Sequence, residues 1–159
     1  MEPFVPPSPR ARALFHLQAF SRLLLFWVPT VTVATMVGSA TWSFGGALTI
    51  GASFLFLQAL LALWWPWLSY RALGWHLGPT ELLVRRGVLI RQITAIPLSR
   101  IQHVDVRQGP LEQAFGLTRL HVHTASGLGA DGTIPGLEPE DAERLRQELT
   151  RAAKADDGV

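Results

Sequence analysis

Hydrophobic and polar positions follow three different rhythms along this chain, and each predicts a different kind of element. From Leu23 to Tyr70, 48 consecutive residues include no Asp, Glu, Lys, Arg or His. A soluble helix turns one face to water and does not exclude charge for so long. A bilayer does, because a charge at its centre costs about 2.5–3.5 kcal/mol. Crossing a hydrocarbon core of roughly 30 Å takes about 20 helical residues, so the block is long enough for two spans. Gly45-Gly46, within Thr41-Trp-Ser-Phe-Gly-Gly46, supplies the turn. The expected helices run near 23–40 and 47–69, forming a transmembrane hairpin over 23–70. Trp27 is expected level with Trp64, Trp65, Trp67 and Tyr70 at one interface, and Trp42 with Phe44 marks the other. Ala34/Gly38 and Ala47/Gly51 place small residues four apart, where two helix backbones can approach closely.

Beyond residue 71 the period shortens to two. Strands are expected at Ala72–Leu77, Leu82–Arg86, Val88–Ile96, Ile101–Gln108 and Leu117–Thr124, with Thr133–Pro135 following a glycine-rich loop, Ser126–Gly132. In Ile101–Gln108, Val104 and Val106 point one way and His103, Asp105 and Arg107 the other. Leu111–Phe115 is a short helical turn between Gly109-Pro110 and Gly116. The third rhythm closes the chain. Ala142, Leu145, Leu149 and Ala152 form one stripe of an amphipathic helix, with Pro139, Glu140 and Asp141 in its first turn. Val104, Val106, Leu120, Val122, Leu145 and Leu149 are the expected core. The fold class is α+β: a transmembrane hairpin, then a bent sheet capped by a C-terminal helix.

Residues 1–22 read as a lead-in. Four prolines within residues 1–9 predict a disordered tail, and Arg10–Arg22 is amphipathic. Residues 71–153 form the soluble domain and 154–159 a tail. Arg10, Arg12 and Arg22 precede the first span, Arg71 follows the second, and the intervening loop has no charge, so both termini are expected in the cytoplasm. Val37-Gly-Ser-Ala40 carries small residues at the offsets of a signal-peptidase site, and cleavage of residues 1–40 is the competing expectation. The 22 residues ahead of the apolar run are long for a signal sequence. Only 16% of the chain is charged, against about a quarter in ordinary soluble domains. The net charge of +2 comes without the dense basic stripe of a nucleic-acid surface. Cysteine is absent, which removes disulfide and thiolate chemistry.

The run Ile96-Pro-Leu-Ser-Arg-Ile-Gln-His-Val-Asp-Val-Arg-Gln-Gly-Pro-Leu-Glu-Gln-Ala-Phe-Gly-Leu117, with Glu81-Leu-Leu-Val-Arg-Arg-Gly87 ahead of it, resembles the bacterial pleckstrin-homology-like membrane proteins of the YdbS type. The resemblance covers roughly residues 15–150; Gln113 stands where that family commonly has Arg. It implies a PH-like bent sheet closed by the C-terminal helix. It also implies residence in the bacterial inner membrane and a neighbouring larger membrane protein carrying several such domains. No cofactor and no enzymatic activity are implied.

Side chains able to carry chemistry are few. His103, His121 and His123 are the weak candidates for a metal site, because three imidazoles suffice for zinc; the expectation is an ordinary polar face and no metal. Gly127–Gly132 lacks the Lys-Ser/Thr of a phosphate loop, no serine stands in a nucleophile elbow, and catalysis is not expected. Arg71, Arg85, Arg86, Arg91 and Arg107 are candidates for contact with anionic lipid. Leu111 and Phe115 are candidates either for plugging the roll or for contacting a partner. The expected function is a non-enzymatic, membrane-anchored module that binds a membrane protein of the same family or a second copy of itself, through the sheet edge or the apolar residues of Gly109–Leu117. The alternative is a sensor of anionic lipid or a small ligand, using the basic rim. No nucleic acid or small-molecule substrate is expected.

Overall fold

The computed structural model describes residues 4–40, 43–125 and 130–156. It divides into two units, residues 15–68 and residues 1–14 with 69–159.

The first unit is a pair of helices. One helix runs from Arg10 to Gly38 as α1 (Arg10–Arg22), a wide π turn at Leu23–Trp27, and α2 (Val28–Gly38). The second, α3, spans Phe44–Ala72. Each is 29 residues, with mean hydropathy of 1.5 and 1.9, and most of its surface lies open. Leu25, Met36 and Phe56 are more than two-thirds exposed; a soluble core helix would bury such side chains, whereas lipid accepts them. The wide turn has a chemical cause. Pro29 cannot donate to the carbonyl of Leu25 and its ring crowds that carbonyl; the Val28 N–H bonds instead to the Leu23 oxygen, five residues back.

Three features differ from expectation. The first helix starts at Arg10, not Leu23, because arginine and alanine favour helix and nothing in the lead-in breaks it. Gly45-Gly46 lies in the first turn of α3, so the connection falls earlier, around residues 39–43. Trp27 is not level with the Trp64–Trp67 cluster: its ring packs at a tilt against Phe54, centroids 5.4 Å apart, while Trp64 and Trp67 share a groove with His16. Trp42 lies outside the described residues. The small-residue expectation is realised. A Cβ built on Gly51 would meet the Thr35 hydroxyl at 2.6 Å, and one on Gly38 would touch Ala47.

The second unit carries two three-stranded antiparallel sheets. β1 (Gly74–Leu77), β2 (Glu81–Arg86) and β3 (Gln92–Pro97) form the first; β4 (Ile101–Arg107), β5 (Thr118–Thr124) and β6 (Ala130–Leu137) form the second. A short helix, α4 (Pro110–Ala114), interrupts β4 and β5, and α5 (Pro139–Asp156) closes the roll. Leu82, Val84, Ile96, Leu120, Val122, Ile134, Leu145 and Leu149 meet in one core. This is the expected α+β roll with its capping helix. Val88–Arg91, expected as strand, is instead the turn between β2 and β3. Val106 is 37% exposed rather than buried, because β4 is an edge strand and its last inward side chain has a neighbour on one side only. Most of the glycine-rich loop, residues 126–129, lies outside the described residues.

The largest departure is at the N-terminus. Residues 4–9 are not loose chain but a strap on the soluble unit. Val5 exchanges two backbone hydrogen bonds with Trp75, at 2.8 and 3.1 Å, and so covers the outer edge of β1. The Ser8 N–H donates to the Gly136 carbonyl at 2.9 Å, the Ser8 hydroxyl to Glu138 at 3.0 Å, and the Tyr70 hydroxyl to the Pro7 carbonyl at 3.0 Å. Ala11 follows, fully buried. Gly136 makes this approach possible: its φ of +75° suits glycine, and a Cβ there would fall 2.6 Å from that of Ala11. Proline-rich composition suits an extended strap as well as it suits disorder. Since both flanks of the hairpin belong to one compact unit, they lie on the same side of any membrane the hairpin crosses.

Candidate functional site

The second sheet turns its polar face outward, and register decides which polar groups meet. His103 pairs across the strands with His123, Asp105 with His121, and Arg107 with Arg119. Asp105 thus stands among two histidines and an arginine. Its carboxylate is 2.7 Å from His103 Nε2, 3.4 Å from Arg107 and 3.6 Å from His123 Nε2; the last is too long for a hydrogen bond. Partial desolvation pushes the Asp105 carboxyl upward, but the charge of His103 and the bond from Arg107 outweigh it and hold it below its ordinary value. The two histidine rings are 6.1 Å apart. His121 points elsewhere, with Nδ1 3.1 Å from the Thr133 hydroxyl. The three histidines are therefore not brought onto one centre. Among the described residues, no group of three His, Asp or Glu side chains is arranged to hold a metal ion.

His121 makes the sheet sensitive to pH. Burial, then the charges of Arg107 and Arg119, lowers its pKa from the ordinary 6.5. Below about that pH the unfolded chain takes up a proton at this position and the folded chain resists it, so stability falls as pH falls. Asp105 acts at lower pH: its depressed pKa contributes stability above its ordinary value of 3.8 that is lost as pH drops through it. His121→Gln is expected to flatten the loss that sets in below the ordinary histidine value of 6.5 while leaving the more acidic limb in place. Denaturant midpoints across that range give the comparison, and an unchanged slope would contradict the assignment.

α4 is anchored by charge. Glu112 is 2% exposed, accepts the Gly109 N–H at 2.7 Å and pairs with Arg119 at 2.6 and 2.5 Å. Gln108 Nε2 donates to the Leu117 carbonyl at 2.9 Å, bridging the two ends of the excursion. Leu117, not Leu111 or Phe115, is the side chain sealed inside; Leu111 is 39% exposed and Phe115 half-buried. Leu117 and Glu112 are thus the buried side chains of this excursion, and Leu111 is exposed.

The lipid-contact candidates separate. Arg85, Arg86 and Arg91 gather at the β2–β3 hairpin, Arg107 lies on β4 beside Asp105, and Arg71 is in the last turn of α3. Arg85 is partly committed, its guanidinium 4.7 Å above the Phe4 ring. Sequence reasoning expected an exposed sheet edge but did not place it on β4. Among the described residues no strand pairs with its outer side, and the register slips between Ile101 and His103, leaving Gln102 unopposed. A groove runs along this edge, lined by Arg100, Gln102, Val104, Arg146 and Thr150. Arg146 is clamped by Glu143 at 2.8 and 2.6 Å, which draws the Glu143 carboxyl far down. That β4 would be an edge strand had no signal in its own pattern, since edge position depends on pairings elsewhere.

Comparison with known proteins bears on this arrangement. Residues 23–153 match the family model described as Bacterial PH domain. The chain is 25% identical over 150 residues to the UPF0699 transmembrane protein YdbS of Bacillus subtilis (strain 168), covering 94% of this chain and 92% of that protein. It is 26% identical over 132 residues to the UPF0699 transmembrane protein YdbT of the same organism, covering 82% of this chain but 25% of that protein. No solved structure matches the chain.

Proposed function

We propose, from the premise that the chain belongs to the bacterial PH domain family, that it is a non-enzymatic docking module. On this reading the hairpin holds the domain at the cytoplasmic side of the bacterial inner membrane, where it binds another membrane protein of the same family. The observation that carries the reading is the edge of β4, with which no strand pairs among the described residues, and the groove between it and α5. An edge strand offers a row of N–H and C=O groups to an added strand, and side chains of the groove supply selectivity. The contrast with β1 is informative, because the chain spends its own N-terminus covering that edge and, among the described residues, pairs no strand with the edge of β4. Leu111, exposed at the end of the β4–β5 excursion, adds an apolar contact. The match to one quarter of the longer YdbT supports a family in which domains of this kind occur in chains of different size. Arg10, Arg12, Arg22 and Arg71 flanking an uncharged loop support the cytoplasmic side.

The test is co-expression of the full chain with a longer family member, and separately with a differently tagged copy of itself, followed by mild-detergent purification. Gln102→Pro removes an N–H at the bulge, where proline is tolerated in a sheet edge. It is expected to lower partner recovery by about tenfold, equivalent to about 1.4 kcal/mol, with β5 amides still protected from exchange. Recovery should persist in about 0.5 M salt, because screening at that strength weakens exposed charge contacts and not strand pairing. A folded Gln102→Pro protein that keeps both partners would remove β4 from the reading.

A further inference from the structure

Among the described residues, the two most exposed large apolar side chains of the soluble unit are adjacent. Leu89 is 84% and Ile90 83% exposed, with Ile93 at 57% beside them on β3. They form the tip of the β2–β3 hairpin, Gly87-Val-Leu-Ile-Arg91. Two aliphatic side chains held out in water have no role in the core, and the tip is not a slack loop that could fold them away. Gly87 takes φ +102°, and a Cβ there would lie 1.9 Å from the Ile90 carbonyl oxygen. The turn is therefore closed tightly, with its apolar side chains outward.

The charges around the tip are of one sign. Residues 82–104 carry four arginines and no acid; Arg86 and Arg91, both exposed, flank the tip directly. An apolar point with a cationic collar matches the boundary of a bilayer, where aliphatic groups enter the acyl region and guanidinium groups remain among anionic headgroups. A folded protein partner would instead need a complementary apolar recess ringed by acids, for which nothing here speaks. Position favours the bilayer too. α3 ends at Ala72 and β1 starts at Gly74; Gly74 pairs with Arg85, so the tip lies at the end of the sheet where the chain enters from α3. A one-residue connection to a membrane helix gives the tip a high effective concentration at the leaflet, and a weak individual contact suffices.

We infer that the β2–β3 hairpin tip dips into the anionic leaflet of the membrane that anchors the chain, with Leu89 and Ile90 in the interface and Arg86 and Arg91 on the headgroups. This contact goes beyond the docking reading and is independent of what binds β4.

The chain has no cysteine, so Leu89→Cys or Ile90→Cys in the full protein places one fluorescent probe at the tip, and Glu148→Cys places a reference on α5. Glu148 is exposed and lies away from the strap that joins Glu138 to Tyr70. The labelled proteins are reconstituted alone in vesicles containing about one-third phosphatidylglycerol. Lipids bearing a nitroxide in the upper acyl chain are expected to quench the tip probe at least about threefold more than the reference. Aqueous iodide should reach the tip less than the reference. Replacing phosphatidylglycerol by phosphatidylcholine, or combining Arg86→Gln with Arg91→Gln, should lower the nitroxide quenching by about twofold or more. Equal quenching at tip and reference would overturn the inference. So would a tip shielded from iodide but untouched by the nitroxide, which would mean a second copy covers it. Quenching indifferent both to lipid charge and to the two arginines would overturn the anionic-surface assignment.

Discussion

Replacing Arg119 by leucine is expected to destabilise the soluble unit by about 3–5 kcal/mol, the usual cost of removing one partner from a buried ion pair. Glu112 is the reason. Its carboxylate is buried, and its partners are the Gly109 N–H and the Arg119 guanidinium. Without Arg119 the carboxylate keeps one amide donor in a place water does not reach, and desolvation of the charge goes uncompensated. The reciprocal change should be milder, because Arg119 is 39% exposed and can rehydrate. Glu112→Gln introduced into the Arg119→Leu protein should therefore restore part of the loss, since a neutral amide tolerates that site better than an orphaned charge. The measurement is hydrogen exchange at β5 amides in mild detergent, which reports on the soluble unit without the hairpin. Additive losses in the double variant would show that the two side chains do not act as a pair.

Leu149→Ala should cost about 2–5 kcal/mol. Leu149 is fully buried on α5 and belongs to the core shared with Leu120, Val122 and Leu145. The replacement removes aliphatic volume from a place where two sheets and a helix meet, and the neighbours are held by strand pairing, so the cavity collapses only partly. Against a total stability of about 5–15 kcal/mol for a domain, that is a large fraction. The same exchange experiment reads it. Unchanged protection in β5 would mean that α5 does not close the core.

Legibility in the sequence followed the reach of each interaction. β5 was the easiest element: it is central in its sheet, and Thr118–Thr124 alternates buried and half-buried without a break. The capping helix declared itself through a stripe spaced for one face, and Ala142, Leu145 and Leu149 are all buried. Val106 failed because alternation gives the direction of a side chain and not whether a neighbour covers it. Val88–Ile90 failed for a related reason. An unbroken apolar run beside a strand reads as more strand, and only Gly87 hinted that the chain turned there. The strap was beyond local reading altogether. Val5 depends on Trp75, and Ser8 on Gly136 and Glu138, so the partners that order the prolines lie far along the chain. At the candidate surface, the histidines were visible as a strand face. The carboxylate between His103 and His123 became visible only once the register set the two strands side by side.

The strap has a consequence for how the protein is made. Synthesis delivers Val5 long before Trp75, with the whole hairpin between them, and N-terminal segments wait for their partners as the chain emerges. If a single helix inserts in place of two, Val5 and Trp75 end on opposite sides of the bilayer and their hydrogen bonds cannot form. β1 then keeps a bare edge, the feature that foreign strands and aggregating neighbours exploit. A closed β1 edge is in this sense a receipt for correct insertion. Misinserted copies thus differ from correctly inserted ones in a bare strand edge, a chemical difference that needs no sensor of topology as such.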